Sequence, residues 1–192
     1  MGVGKILSLI DKKNQPVLVI GIVLATGVLG LIASSVSDTE YSVGSRDDDW
    51  WVSYPDQHAD AGAEVDHPQW VLDALEDKPV IILEHIKNCK DCTKQESNID
   101  QVLEDLGSNV TYCDIMADGS DERARGLYDV YNPNGGFAYA PLTIVLTLVR
   151  DDDGNVVVGW HSVKKASGEI WVWSYLEDSI GCHEENSGNR NE

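Results

Sequence analysis

The pair Cys89-Lys90-Asp91-Cys92 stands where one hydrophobic pattern gives way to another. Before it, Pro79-Val80-Ile81-Ile82-Leu83 is a short apolar run bounded by polar residues, which predicts a buried strand. After it, Ile99, Val102, Leu103 and Leu106 fall at i, i+3, i+4 and i+7, one face of a helix that Gly107 ends. Cys89 is thereby placed in a loop after a strand, at the start of a helix. Unpaired backbone N–H groups and the helix dipole favour negative charge at such a position. A cysteine there is a thiolate more often than a free thiol is, and the thiolate is the attacking species. Cys92, about one helical turn on, is positioned to resolve a mixed disulfide. A plain stabilising disulfide, or a redox-inactive remnant, is the competing reading of the same two residues.

The flanking patterns continue in a regular order. Pro68 opens a first helix through Trp70, Val71, Ala74 and Leu75 to about Asp77, with Asp66 or His67 as cap. Val110 to Ile115 reads as a second strand. Ser120 caps a helix whose inner face is Ala124, Leu127, Val130 and Tyr131. Asn132-Pro133-Asn134-Gly135-Gly136 breaks the chain. Leu142 to Val149 and Val156 to Trp160 form a hairpin across the turn Asp151-Asp152-Asp153-Gly154-Asn155. Ser167 opens a last helix through Ile170, Trp171, Trp173, Tyr175 and Leu176 to about Gly181. The first two strands, joined by a helix, are expected to be parallel with a right-handed crossover. The expected fold class is α/β, a central mixed sheet of about four strands with helices on both faces.

The stretch from Asp66 to Gly181 resembles the thioredoxin family in three respects: the order of elements, a Cys-x-x-Cys at a strand-to-helix junction, and a proline directly before the third strand. Ala140-Pro141-Leu142-Thr143 is similar to the family's cis-proline loop, which faces the cysteine pair and helps hold an extended substrate. The resemblance implies Cys89 as nucleophile, Cys92 as resolving thiol, and Ala140 and Pro141 as substrate-binding residues. It implies protein thiols or disulfides as partners and leaves the electron partner open. Departures are also present. Thioredoxins carry Trp before the first cysteine and Gly-Pro inside the motif, where this chain has Asn88 and Lys90-Asp91. Their buried acid, six residues before the first cysteine, falls on Leu83, with Glu84 adjacent. Lys87 and Lys90 favour a thiolate at Cys89 while Glu84 and Asp91 oppose it.

Upstream lies a different kind of segment. From Asn14 to Ser37 no residue is charged, a run of 24 positions. A helix rising about 1.5 Å per residue needs roughly 20 apolar residues to cross a bilayer. Lys12 and Lys13 precede the run and acidic residues follow it, so residues 1–13 are expected in the cytoplasm and the main domain outside. A cleaved signal peptide has the same charge order, with Ala33-Ser34-Ser35 as a small-residue cleavage site. A buried soluble helix is the third reading. Residues 38–65 read as an acidic linker, interrupted by Trp50, Trp51 and Tyr54, aromatics expected to dock on the domain or near lipid headgroups. Residues 66–181 form the expected thioredoxin-like domain and 182–192 a polar tail.

The formal charge is −19, and residues 37–192 carry −21. A body that acidic repels phosphate backbones, which argues against nucleic-acid partners. No phosphate-binding glycine loop or Ser-His-Asp pattern is present, so no cofactor is expected. A metal-carrier reading remains, because His85, Cys89 and Cys92 together offer imidazole and thiolates suited to copper or zinc. Cys113, on an apolar strand, reads as a buried small hydrophobe, and a bridge from it to Cys182 is an alternative. Asp151-Asp152-Asp153-Gly154 lacks the first ligand of a calcium loop and reads as a hairpin turn. Asn109-Val110-Thr111 matches the glycosylation sequon at a strand start.

Overall fold

A computed structural model describes residues 41–188. The run 14–37 expected to span a membrane lies outside the described residues. Among the described residues no helix is long and apolar enough to cross a membrane.

The strands are β1 (Val43–Gly44), β2 (Trp50–Trp51), β3 (Val80–His85), β4 (Thr111–Met116), β5 (Leu142–Arg150) and β6 (Val156–Lys164). The helices are α1 (Gln69–Ala74), α2 (Lys90–Leu106), α3 (Leu127–Tyr131) and α4 (Glu169–Ser187). All strands join one sheet in the order β1-β2-β6-β5-β3-β4. β3 and β4 are parallel, from Val80↔Thr111 to His85↔Met116, as a crossover through α2 requires. β5 runs antiparallel to β3, and β6 antiparallel to β5 from Leu142↔Lys164 to Arg150↔Val156.

Strand alternation sorts the core onto the two faces. Val80 and Ile82 of β3, with Ile144, Leu146 and Trp160, pack under α1 and α3 through Val71, Leu75, Leu127 and Tyr131. Ile81 and Leu83, with Val145 and Val149, pack under α2 and α4 through Ile99, Val102, Val172 and Leu176. Strands covered on both sides explain why 80–83 is apolar throughout instead of alternating.

Four expectations need correction. The sheet has six strands, not about four. The two added strands come from the stretch read as a linker. Trp50 and Trp51 are fully buried on opposite faces, Trp50 beside Tyr175 and Trp51 against Trp160. Indole burial of this size outweighs the absence of any period in the surrounding Asp-rich sequence. The turn between them is held by Asp49, whose carboxylate accepts from the backbone N–H and the guanidinium of Arg46. Gly44 is required there, because a Cβ would overlap that carboxylate. Second, β6 continues past Trp160 to Lys164. Third, Ser120 does not cap a long helix. Asp121 caps a single 3-10 turn, Glu122–Ala124, and α3 begins separately at Leu127 after the left-handed Gly126. Fourth, the last helix passes through Gly181 to Ser187, so the polar tail starts later than expected. His183 and Asn186 are buried, bonding through Nε2 to the Leu75 carbonyl and through Nδ2 to the Leu148 carbonyl.

Candidate redox site

β3 delivers the chain to the top of the sheet, where Asn88 takes a left-handed conformation with φ 60°. Asparagine tolerates that region better than most residues. The turn sets Cys89 at the N-cap of α2 in an extended conformation. Its Sγ accepts the backbone N–H of Cys92 at 3.1 Å. Cys89 and Cys92 are joined in a disulfide with Cα atoms 5.2 Å apart. Cys89 is half-buried, whereas Cys92 is 3% exposed. One sulfur faces solvent and its partner is shielded.

Opposite stands the loop before β5. The Ala140–Pro141 peptide is cis, and the Ala140 carbonyl lies 3.9 Å from the Cys89 Sγ. The disulfide and the proline loop expected to face each other are therefore adjacent. This loop also exposes Phe137, 98% accessible, and Tyr139, while Ile86 is exposed three residues before Cys89. Large apolar side chains left in water on both sides of a disulfide form a surface suited to protein contact.

Behind the site, the fully buried Gln95 ties three elements together. Its Nε2 donates to Thr143 Oγ1 and Ser167 Oγ, each at 2.9 Å, and its Oε1 accepts the Ser167 N–H at 2.8 Å. Thus the second turn of α2 is fastened to β5 just beyond Pro141 and to the loop entering α4. Nothing in the sequence singles out Gln95, since a glutamine within a helical pattern reads as a solvated position.

Glu84 is 6% exposed, and one of its carboxylate oxygens has no hydrogen-bond partner. It shares the α3 face of β3 with Val80 and Ile82, and pairs with Leu142, the residue after Pro141. Burial, with a smaller contribution from Asp129, pushes its carboxyl up to about 7. The acid next to Leu83 is thus the buried one.

The lysines act less directly than their number suggests. Lys87 forms an ion pair with Asp118 at 2.7 Å, and this bond holds the Asp118 carboxyl well below the usual range. The metal-ligand trio does not assemble: His85 Nε2 bonds Asp114 Oδ1 at 2.8 Å, and the two sulfurs bond each other. Among the described residues no group of three potential metal ligands gathers. Cys113 and Cys182 pack on opposite faces of the sheet, so no bridge joins them. Burial raises the Cys113 thiol, in keeping with its place in the core. Asp151 accepts backbone N–H bonds from Asp153 and Asn155, as a hairpin turn requires.

A mixed sheet with a parallel β3–α2–β4 unit, a terminal hairpin, helices on both faces and a disulfide at a helix start facing a cis-proline defines a thioredoxin-like domain. No family model matches the chain. No curated protein matches it either. Among solved structures it is similar to chloroplastic thioredoxin z, with 14% identity over 59% of this chain and 87% of that one, at a TM-score of 0.42. It is similar to mitochondrial thioredoxin 3 from Saccharomyces cerevisiae, with 11% identity over 57% and 87% and a TM-score of 0.39. The thioredoxin of Fasciola hepatica gives 14% identity over 60% and 88% and a TM-score of 0.37.

Proposed function

We propose that the protein is a thiol-disulfide oxidoreductase acting on protein substrates outside the cytoplasmic membrane, to which residues 14–37 tether it. The observation that carries the redox reading is the Cys92 N–H directed at the half-exposed Cys89 Sγ at the start of α2. A backbone donor and a helix N-terminus both stabilise a thiolate on that sulfur once the couple is reduced. The charge order around the uncharged run supports the tether and its orientation.

In the reducing direction, the Cys89 thiolate attacks one sulfur of a substrate disulfide. A mixed disulfide forms and the other substrate sulfur leaves as a thiolate. Cys92 then loses its proton and attacks Cys89 Sγ, which closes the internal disulfide and releases the second substrate thiolate. The proton that leaves Cys92 is balanced by the substrate thiolates, which are protonated on release. In the oxidising direction the same steps run backwards, and the potential of the couple sets which direction prevails. Ala140 and Pro141 position the extended substrate, and Phe137, Tyr139 and Ile86 give it an apolar landing surface.

The test is reduction of insulin and of a small aromatic disulfide by the full-length protein. The reading requires activity in the wild type and its loss in Cys89→Ser. It also requires that Cys92→Ser accumulate a mixed disulfide. Stoichiometric copper uptake with no exchange would replace it with the carrier reading.

A further inference from the structure

β2 covers the outer edge of β6 at one position only, Trp51↔Trp160. From His161 to Lys164 the strand pairs with β5 on one side and borders a cleft of about 410 Å3 on the other. Trp51 lines that cleft, as do Trp171 and Asn134. We propose that this edge docks an extended segment of the disulfide-exchange partner, one that carries an acidic side chain beside its reacting cysteine. The inference rests on the redox reading above.

Three observations carry it. The first is backbone chemistry. An open strand edge presents alternate N–H and C=O groups, which an added extended peptide satisfies. At about 3.3 Å per residue, the four residues from His161 to Lys164 span a lane of roughly 10 Å.

The second is continuity with the disulfide. Lys164 pairs with Leu142, and the Lys165 N–H donates to the Pro141 carbonyl at 2.9 Å. One end of the lane therefore reaches the proline loop, whose Ala140 carbonyl touches Cys89. A peptide lying along the edge delivers its next residues to the reactive sulfur.

The third is the polarity of the lining. In a chain of net charge −19, the end nearest the disulfide holds Lys164 and Lys165. Neither ion-pairs with another side chain among the described residues, and the Lys165 ammonium sits over the Tyr139 ring. Asp47 supplies the only acidic side chain of the lining. His161, 4% exposed, adds a fixed acceptor. Its Nδ1 meets the Asp49 carbonyl at 3.0 Å, and a carbonyl only accepts, so Nδ1 carries the proton. Nε2 is then an unprotonated acceptor that makes no hydrogen bond among the described residues. A peptide N–H or hydroxyl is its complement.

The experiment uses full-length protein in mild detergent with two synthetic seven-residue peptides in which serine replaces the cysteine. One carries Asp and the other Lys beside that serine. Binding is read from the indole N–H resonances of Trp171 and Trp51. The Asp peptide is expected to shift both resonances and to bind about tenfold more tightly than the Lys peptide. Lys164→Glu is expected to reverse the preference. Absence of indole shifts, or a preference indifferent to Lys164→Glu, overturns the proposal. So do shifts that grow with protein concentration without peptide, which would assign the edge to a second copy. Exchange with a small aromatic disulfide is measured in parallel. Exchange without peptide binding removes the docking lane and leaves the redox reading. Binding without exchange overturns the redox reading, and with it the identity of the partner.

Discussion

The Ala140 carbonyl oxygen lies 3.9 Å from the Cys89 Sγ. A disulfide sulfur has no proton to donate, so this is a contact across which the carbonyl keeps its capacity to accept. An arriving peptide N–H one residue from the substrate cysteine is the donor that matches it. N-methylation of that substrate amide is expected to slow exchange about tenfold, the order of one hydrogen bond lost at the transition state. Stopped-flow rates for the methylated and unmethylated peptides check this.

Glu84 gives one outcome in stability and one in exchange. Its folded-state pKa is raised from 4.5 to about 7 by burial, so the folded chain favours the protonated acid. The stability this supplies is complete below about 4.5 and is lost as pH rises through about 7. Glu84→Gln keeps the group neutral. The variant is expected to have a higher Tm than wild type at pH 8 and to converge on it near pH 5. Glu84 lies on the α3 face of the sheet and α2, which carries Cys92, covers the other, so resolution of the mixed disulfide is expected to change little in this variant. Calorimetry and single-turnover kinetics on one variant read both effects.

His161 and His67 behave oppositely. Burial lowers each from 6.5 to about 4, so the unfolded chain binds more protons between those values. Stability is full above about 6.5 and is lost as pH falls towards about 4, by an amount of order 2 kcal/mol for each ring. Glu84 works against this trend over part of the same window, but as one group against two. Urea midpoints are expected to fall between pH 7 and pH 5 in wild type, and less steeply in His67→Gln.

Much of this architecture is legible in the sequence because apolar periodicity marks it. The run 80–83 and β5 are continuous apolar stretches buried on both sides, and α2 carries an i, i+3, i+4, i+7 stripe. What escapes is structure held by isolated contacts. β1 and β2 are two residues each and have no period, so only the doublet Trp50-Trp51 signals that the acidic stretch folds back. The end of α4 is hidden because Gly181, His183 and Asn186 look like a tail. His183 and Asn186 are drawn inward by hydrogen bonds to the distant Leu75 and Leu148 carbonyls, while Gly181 stays exposed. The facing of Glu84 is obscured because β3 is apolar on both sides and lacks the alternation that would orient it. The open edge of β6 is a property of strand order, which no local pattern encodes.

Gln95 is the case where a buried polar side chain holds the site together. Gln95→Ala leaves the Thr143 hydroxyl and the Ser167 N–H without their partner in the core. The expected cost is about 2–3 kcal/mol in urea unfolding, set by the unsatisfied groups. Loosening β5 beyond Pro141 is also expected to lower the exchange rate towards peptides more than towards a small disulfide.

The central claim is that Cys89 and Cys92 cycle as a redox couple with Cys89 as the exposed partner. The most direct measurement equilibrates the full-length protein across thiol-disulfide buffers, quenches with an alkylating reagent and maps each cysteine by mass. The account predicts one two-electron transition between about −120 and −270 mV, with Cys89 alkylated well before Cys92. A transition below about −300 mV, with both sulfurs alkylated only after unfolding, would identify a structural staple and contradict it.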